Sequence, residues 1–171
     1  MSSEPDAATP VIVGMDLVLP PTVFNADSGS ATAKKAAQFL AEKNLGYVVP
    51  TARQKRNLVV ACAKRDLIVY GKAFDALRLT GDVDLDSLDD VENKLAQIVI
   101  CEIKSTKQKL PDNFRGYFFG LTAAEVLVAQ SLKDQFRFIF VNTVTGSVLE
   151  LKLSEVFAKA RGIYPTWSIS F

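Results

Sequence analysis

One run, Ile98-Val99-Ile100-Cys101-Glu102-Ile103-Lys104-Ser105-Thr106, constrains the fold of this chain more than any other segment. Its apolar, β-branched start reads as a strand of a buried sheet, yet it ends in two charges. On a strand, residues i and i+2 project from the same face, so Glu102 and Lys104 point together while Cys101 and Ile103 point the other way. Opposite charges at the end of a buried strand are costly for a mere core. They suit a site that holds a divalent cation and orients a water against a phosphate. The same two residues also fit an idle ion pair at a strand end, which contributes little to stability.

Composition narrows the chemistry. The chain has 171 residues, 49% of them hydrophobic and 23% charged, which fits one globular domain with a real core. It contains no histidine, which removes histidine triads, histidine metal ligands and a histidine general base. Carboxylates and lysines must then do any hydrolytic work. The net charge of +1 gives no global basic signal, so a nucleic-acid surface must be local. Cys62 and Cys101 both lie in apolar stretches without CxxC spacing, which reads as buried reduced thiols in a cytoplasmic protein. The polar start lacks a basic n-region and the run Val11 to Leu19 is short and broken by Asp16, so neither a signal peptide nor a membrane span is expected.

The pattern along the chain predicts an N-terminal arm over residues 1–27, flexible at its start, and one α/β domain over 28–171. A helix capped at Ser28 or Ser30 carries Ala33, Ala36, Ala37, Leu40 and Ala41 at helical spacing and ends before Gly46. A short strand over 46–50 precedes a basic loop with Arg53, Lys55 and Arg56, and 58–70 reads as a β-rich run that includes Asp66. Residues 71–95 carry Asp75, Asp82, Asp84, Asp86, Asp89, Asp90 and Glu92 and read as an exposed acidic insertion with one helical turn near Leu88 to Leu95. Asp82, Asp84 and Asp86 have the alternate spacing of a calcium loop, but the loop's glycine and closing glutamate are absent.

Beyond the Glu-Lys strand, Lys107, Lys109 and Arg115 interleave with Phe114, Tyr117, Phe118 and Phe119, which fits either a nucleic-acid surface or the packing of a loop on the core. Thr122 and Glu125 form a capping box for a helix to about Lys133, which reads Glu125 as a cap rather than a catalytic acid. Strands are expected at 136–141 and 148–153, a turn at 143–146, a helix capped by Ser154, and an edge strand with Trp167, Ile169 and Phe171. The order predicts a mixed central sheet flanked by helices, with the Glu-Lys strand and 136–141 at its centre.

Over about residues 28–141, the helix, the Asp-containing strand, Cys101-Glu102-Ile103-Lys104-Ser105-Thr106 and the following helix and strand resemble the PD-(D/E)XK nuclease superfamily, the restriction-endonuclease-like fold. Gly116-Tyr117-Phe118-Phe119-Gly120-Leu121-Thr122-Ala123-Ala124-Glu125 is also similar to small restriction-type and Mrr-like domains. The resemblance implies that Glu102 is a metal ligand, that the Ile103 carbonyl joins it, and that Lys104 orients or activates water. It implies an upstream acidic ligand, for which Asp66 leads, with Asp84 as the alternative and Asp82 behind it. No proline precedes Asp66. The implied activity is that of a Mg²⁺-dependent or Mn²⁺-dependent endonuclease on double-stranded DNA, of type II restriction or defence type, working as a homodimer. The competing expectation is a nuclease-fold module that binds nucleic acid or protein without cutting. No helix-turn-helix or zinc finger is present, so contacts to DNA fall to Arg53, Lys55, Arg56, Lys107, Lys109 and Arg115.

Overall fold

The computed structural model describes residues 35–43 and 45–164. All of these except Tyr164 belong to one compact unit, Phe24–Ile163. The expected N-terminal arm, the start of the first helix and the closing strand with Trp167, Ile169 and Phe171 lie outside the described residues.

The Glu-Lys strand organises the rest. Five strands form one mixed sheet in the order β1 (Tyr47–Val48), β2 (Ala76–Leu79), β3 (Ile98–Thr106), β4 (Phe136–Asn142) and β5 (Val148–Leu151). β3 pairs antiparallel with β2 and parallel with β4, while β1 and β5 close the edges antiparallel. A parallel neighbour requires a crossover, and α4 (Ala123–Leu132) supplies it. Its capping box is the one expected: Thr122 Oγ1 accepts the Glu125 N–H at 3.2 Å and Glu125 Oε2 accepts the Thr122 N–H at 3.1 Å.

Apolar residues on both faces of β3 and β4 give the sheet two cores. On one side Ala36, Ala37 and Leu40 of α1, a helix through residues 35–42, pack over Tyr47, Val99, Cys101, Ile103, Ile139 and Val141. On the other, Ile98, Ile100, Phe136 and Phe138 pack beneath α2 (Ala52–Ala63), α3 (Leu88–Asn93), α4 and α5 (Leu153–Lys159). Phe136 and Phe138 are fully buried with ring centroids 5.1 Å apart, and burying each contributes about 2–3 kcal/mol. Parity therefore sends Glu102 and Lys104 to the α2 and α4 side. The two cysteines are free, buried and on opposite faces, and burial pushes the thiols up to about 11 at Cys62 and about 12 at Cys101.

Three sequence expectations change. The basic loop with Arg53, Lys55 and Arg56 and the start of the β-rich run over 58–70 are instead one helix, α2, because Thr51 and Gln54 make a capping box and Leu58, Ala61 and Cys62 form a buried stripe. The acidic stretch is not wholly an exposed insertion, since it contains β2, whose Leu77 is fully buried. α5 begins at Leu153 with Lys152 as its N-cap, so Ser154 lies inside the helix. The short helix after Ser87, the irregular stretch over 110–120 and the turn before β5 form as expected. Gly46 lies at φ +79°, where a Cβ would come within 2.5 Å of the Leu79 carbonyl oxygen, so β1 docks on β2 only with glycine there. Among the described residues no helix is long and apolar enough to cross a membrane.

A charged cluster sits on the α1 side. Glu150 Oε1 pairs with Arg78 at 2.9 Å and with Arg137 at 3.2 Å, while Oε2 accepts the Tyr47 hydroxyl at 3.0 Å.

Candidate functional site

Asp75, the residue just before β2, straddles Glu102. Its backbone N–H donates to the Cys101 carbonyl at 3.0 Å and its Oδ2 accepts the Ile103 N–H at 3.0 Å. A carboxylate from just before β2 and one from β3 are thus held side by side, an arrangement that like charges oppose. Glu102 is buried, and loss of hydration, the largest cause, pushes its carboxyl well above the usual carboxylate range. Lys104 pulls it back, while the charges of Asp75 and Glu125 add to the rise.

Lys104 lies between two acids. Its Nζ is 2.9 Å from Glu102 Oε1 and 2.9 Å from Glu125 Oε2, and all three side chains are nearly buried. Burial alone would lower the ammonium, but the two carboxylates outweigh it and hold Lys104 above its ordinary value. The lysine is therefore a fixed cation. A second ammonium supports the site from α2: Lys55 Nζ donates to the carbonyls of Gly71 at 3.1 Å and Phe74 at 2.7 Å and lies 4.5 Å from the centre of the Phe74 ring. It ties down the turn that presents Asp75. Burial lowers Lys55, against the pull of Asp75 and Glu102.

The upstream aspartates expected from the sequence sit elsewhere. Asp66 is not on a strand; it closes the turn after α2 at φ 57°, exposed, with its N–H donating to Ala63. Asp84 shapes the turn before α3, where its Oδ1 accepts the Asp86 N–H at 3.0 Å and its N–H donates to Asp90 Oδ2 at 2.7 Å. Asp82 is exposed in the same loop. Asp75 takes the place next to Glu102 that Asp66 was expected to hold. Its signal was the step from Phe74-Asp75 into Ala76-Leu77-Arg78-Leu79, a short strand hidden by the acidic residues that follow.

The two expected basic segments also differ. Arg53 is engaged by Asp86, at 3.9 Å to its carboxylate and 3.3 Å to its carbonyl, and Lys55 is committed to the Gly71 turn. Arg56 is exposed and lines a shallow groove with Ala52, Val59, Val60 and Gly71. Lys107, Lys109 and Arg115 are exposed, and their side chains make no ion pair among the described residues. Beneath them Phe114, Tyr117, Phe119 and Phe140 form an aromatic cluster, and the Tyr117 hydroxyl donates to the Ser105 carbonyl at 2.7 Å. Packing on the core accounts for these aromatics, whereas Phe118 is exposed.

Among the described residues, no group of three or more Asp, Glu or Cys side chains is gathered to hold a metal. Asp75 and Glu102 offer two carboxylates beside the backbone of Ile103. That donor set fits Mg²⁺, which keeps much of its water and is commonly held by one or two carboxylates. Among the described residues, Asp75 Oδ1 and Glu102 Oε2 accept no hydrogen bond, so each acid has an oxygen to offer. No protein-family model, curated protein or solved structure matches this chain.

Proposed function

We propose that this chain is a metal-dependent endonuclease with a restriction-endonuclease-like fold, hydrolysing phosphodiester bonds in double-stranded DNA, of restriction or defence type and acting as a homodimer. The observation that carries the reading is Asp75 held astride Glu102, with Lys104 two residues further along the same strand face. The element order supports it: a strand entered directly from Asp75, an antiparallel Glu-Lys strand, a helix and a parallel strand follow one another.

Asp75 and Glu102, with the Ile103 carbonyl, would hold Mg²⁺ or Mn²⁺. Bound there, the cation would make a water acidic and neutralise charge on the scissile phosphate. Lys104 keeps one N–H beyond those given to Glu102 and Glu125, and with it can hold the attacking water or stabilise the charge that develops on the phosphate. Lys107, Lys109 and Arg115, free of acidic partners among the described residues, lie on the loop that continues β3 and would carry the backbone of the duplex. A cytoplasmic location belongs to the same reading and rests on the two buried free thiols.

The test is cleavage of methylated and unmethylated duplex DNA with Mg²⁺, comparing the wild type with Glu102→Ala and Lys104→Ala. Loss of cleavage in both variants with folding retained is expected; undiminished cleavage in both would sink the reading. A second reading, a nuclease-fold module that binds without cutting, draws on the closure of Lys104 between two acids, which already engage its ammonium. A Mg²⁺ or Mn²⁺ titration separates the two, because only the first expects a response that depends on Asp75 and Glu102.

A further inference from the structure

We propose that Glu125 is a positioning residue for Lys104, linking the start of α4 to the strand that carries the site. The inference deepens the nuclease reading and rests on it for its catalytic consequence, although the contact itself does not. A capping glutamate at the third position of a helix normally works at the surface, and glutamine serves there equally. Glu125 is instead buried, at 6% exposure. Its Oε2 accepts two hydrogen bonds at once, from the Thr122 N–H at 3.1 Å and from Lys104 Nζ at 2.9 Å. The backbone cap fixes the carboxylate, and the carboxylate fixes the ammonium.

The geometry explains why one partner is insufficient. Lysine ends a flexible four-carbon stem, and a single acceptor leaves the ammonium free to pivot. Glu102 holds it from within β3 and Glu125 holds it from α4, a separate element 21 positions along the chain. Two fixed acceptors from two elements define the direction of the remaining N–H. Because Glu125 touches Lys104 and not the reacting atoms, its effect on turnover passes through the lysine.

Three variants separate positioning from capping. Glu125→Gln keeps an oxygen for both bonds, Glu125→Ala removes both, and Thr122→Ala removes the Oγ1 half of the cap while leaving the Glu125 carboxylate. The first readout needs neither metal nor substrate: the Lys104 ammonium resonance in metal-free, ¹⁵N-labelled protein. It is expected to be resolved and protected from exchange in the wild type, in Thr122→Ala and in Glu125→Gln, and lost in Glu125→Ala. The second is DNA cleavage, where Glu125→Ala is expected to lower kcat about tenfold with little change in KM, Glu125→Gln to recover most of it, and Thr122→Ala to leave it. An ammonium signal in Glu125→Ala that matches the wild type overturns the proposal. So does a kcat for Glu125→Ala equal to that of Thr122→Ala. If the wild type cuts no nucleic acid, the nuclease reading falls and the ammonium spectrum alone decides the role of Glu125.

Discussion

On the α1 side of the sheet, one acid sits between two bases: Glu150 holds Arg78 and Arg137 and takes the Tyr47 hydroxyl as well. On the α2 and α4 side the signs are exchanged, and one base, Lys104, sits between Glu102 and Glu125. The first cluster is left with one excess positive charge on guanidinium groups, which are weakly hydrated and tolerate partial burial. With both acids ionised the second carries an excess negative charge, and Asp75 beside Glu102 adds another, which is why burial favours a proton on Glu102. Lys55 is near but gives its hydrogen bonds to backbone carbonyls. The difference separates a clamp that closes the sheet from a site short of positive charge, and the cation of the proposed function would supply what the second side lacks.

Cleavage should set the Asp75 side of the sheet apart most sharply. Asp75→Asn is expected to reduce plasmid nicking by about 10²–10³-fold, the scale of losing a charge aimed at the reacting phosphate, whereas Asp66→Ala leaves it unchanged. A loss in Asp66→Ala as deep as in Asp75→Asn would return the role to Asp66.

Stability should divide the two sides in the opposite sense. Glu150→Ala strands Arg78 and Arg137 without their acid and is expected to cost about 1–3 kcal/mol in urea unfolding. Asp75→Asn relieves the repulsion at Glu102 and is expected to leave the metal-free protein no less stable than the wild type. The comparison breaks if Asp75→Asn unfolds more readily than Glu150→Ala.

Metal and pH test the deficit directly. Because burial raises the Glu102 carboxyl above its ordinary value, the folded protein keeps a proton that the unfolded chain has released. That contribution to stability is whole below the unfolded value and is lost as pH rises through the folded one. Metal-free stability should therefore fall over this range, and the fall should flatten in Glu102→Gln. A cation competes with the same proton, so 10 mM Mg²⁺ should raise Tm by about 2–4 °C at pH 8.5 and by less at pH 6. Glu150→Ala should keep that shift and Asp75→Asn should lose it. A shift independent of pH and of Asp75 would place the metal elsewhere.

The smallest effect concerns the basic segments. Lys109→Ala and Arg115→Ala are each expected to lower the salt dependence of DNA binding by about one unit of log–log slope, while Arg53→Ala, already paired with Asp86, leaves it unchanged.

What the sequence made legible follows from where periodicity is strong. β3, β4 and α4 are long and sharply patterned, and Glu102 and Lys104 come with β3 because their shared face is fixed by the alternation itself. Asp75 was hidden because β2 has four residues and stands directly before an acidic run, so local composition outweighed a short alternating pattern. Asp66 reads as a strand residue because Leu58-Val59-Val60 and Leu67-Ile68-Val69-Tyr70 are apolar and rich in β-branched side chains. The capping box of Thr51 and Gln54 and the buried stripe on α2 overrode that preference and moved Asp66 into a turn. Glu125 shows the other kind of gap: its cap is a local signal and visible, whereas its bond to Lys104 joins two elements and has no sequence signature.

The bond between Asp75 Oδ2 and the Ile103 N–H has a consequence for ligand denticity. Here a side chain stands in for a strand carbonyl, so one carboxylate oxygen is committed to the β-ladder and cannot rotate toward a cation without breaking it. Oδ1 is thereby the oxygen left without a hydrogen bond, and the one the proposed metal site would use. The two obvious replacements then fail for opposite reasons: asparagine can keep the ladder and abandon the charge, while glutamate keeps the charge and overshoots the ladder.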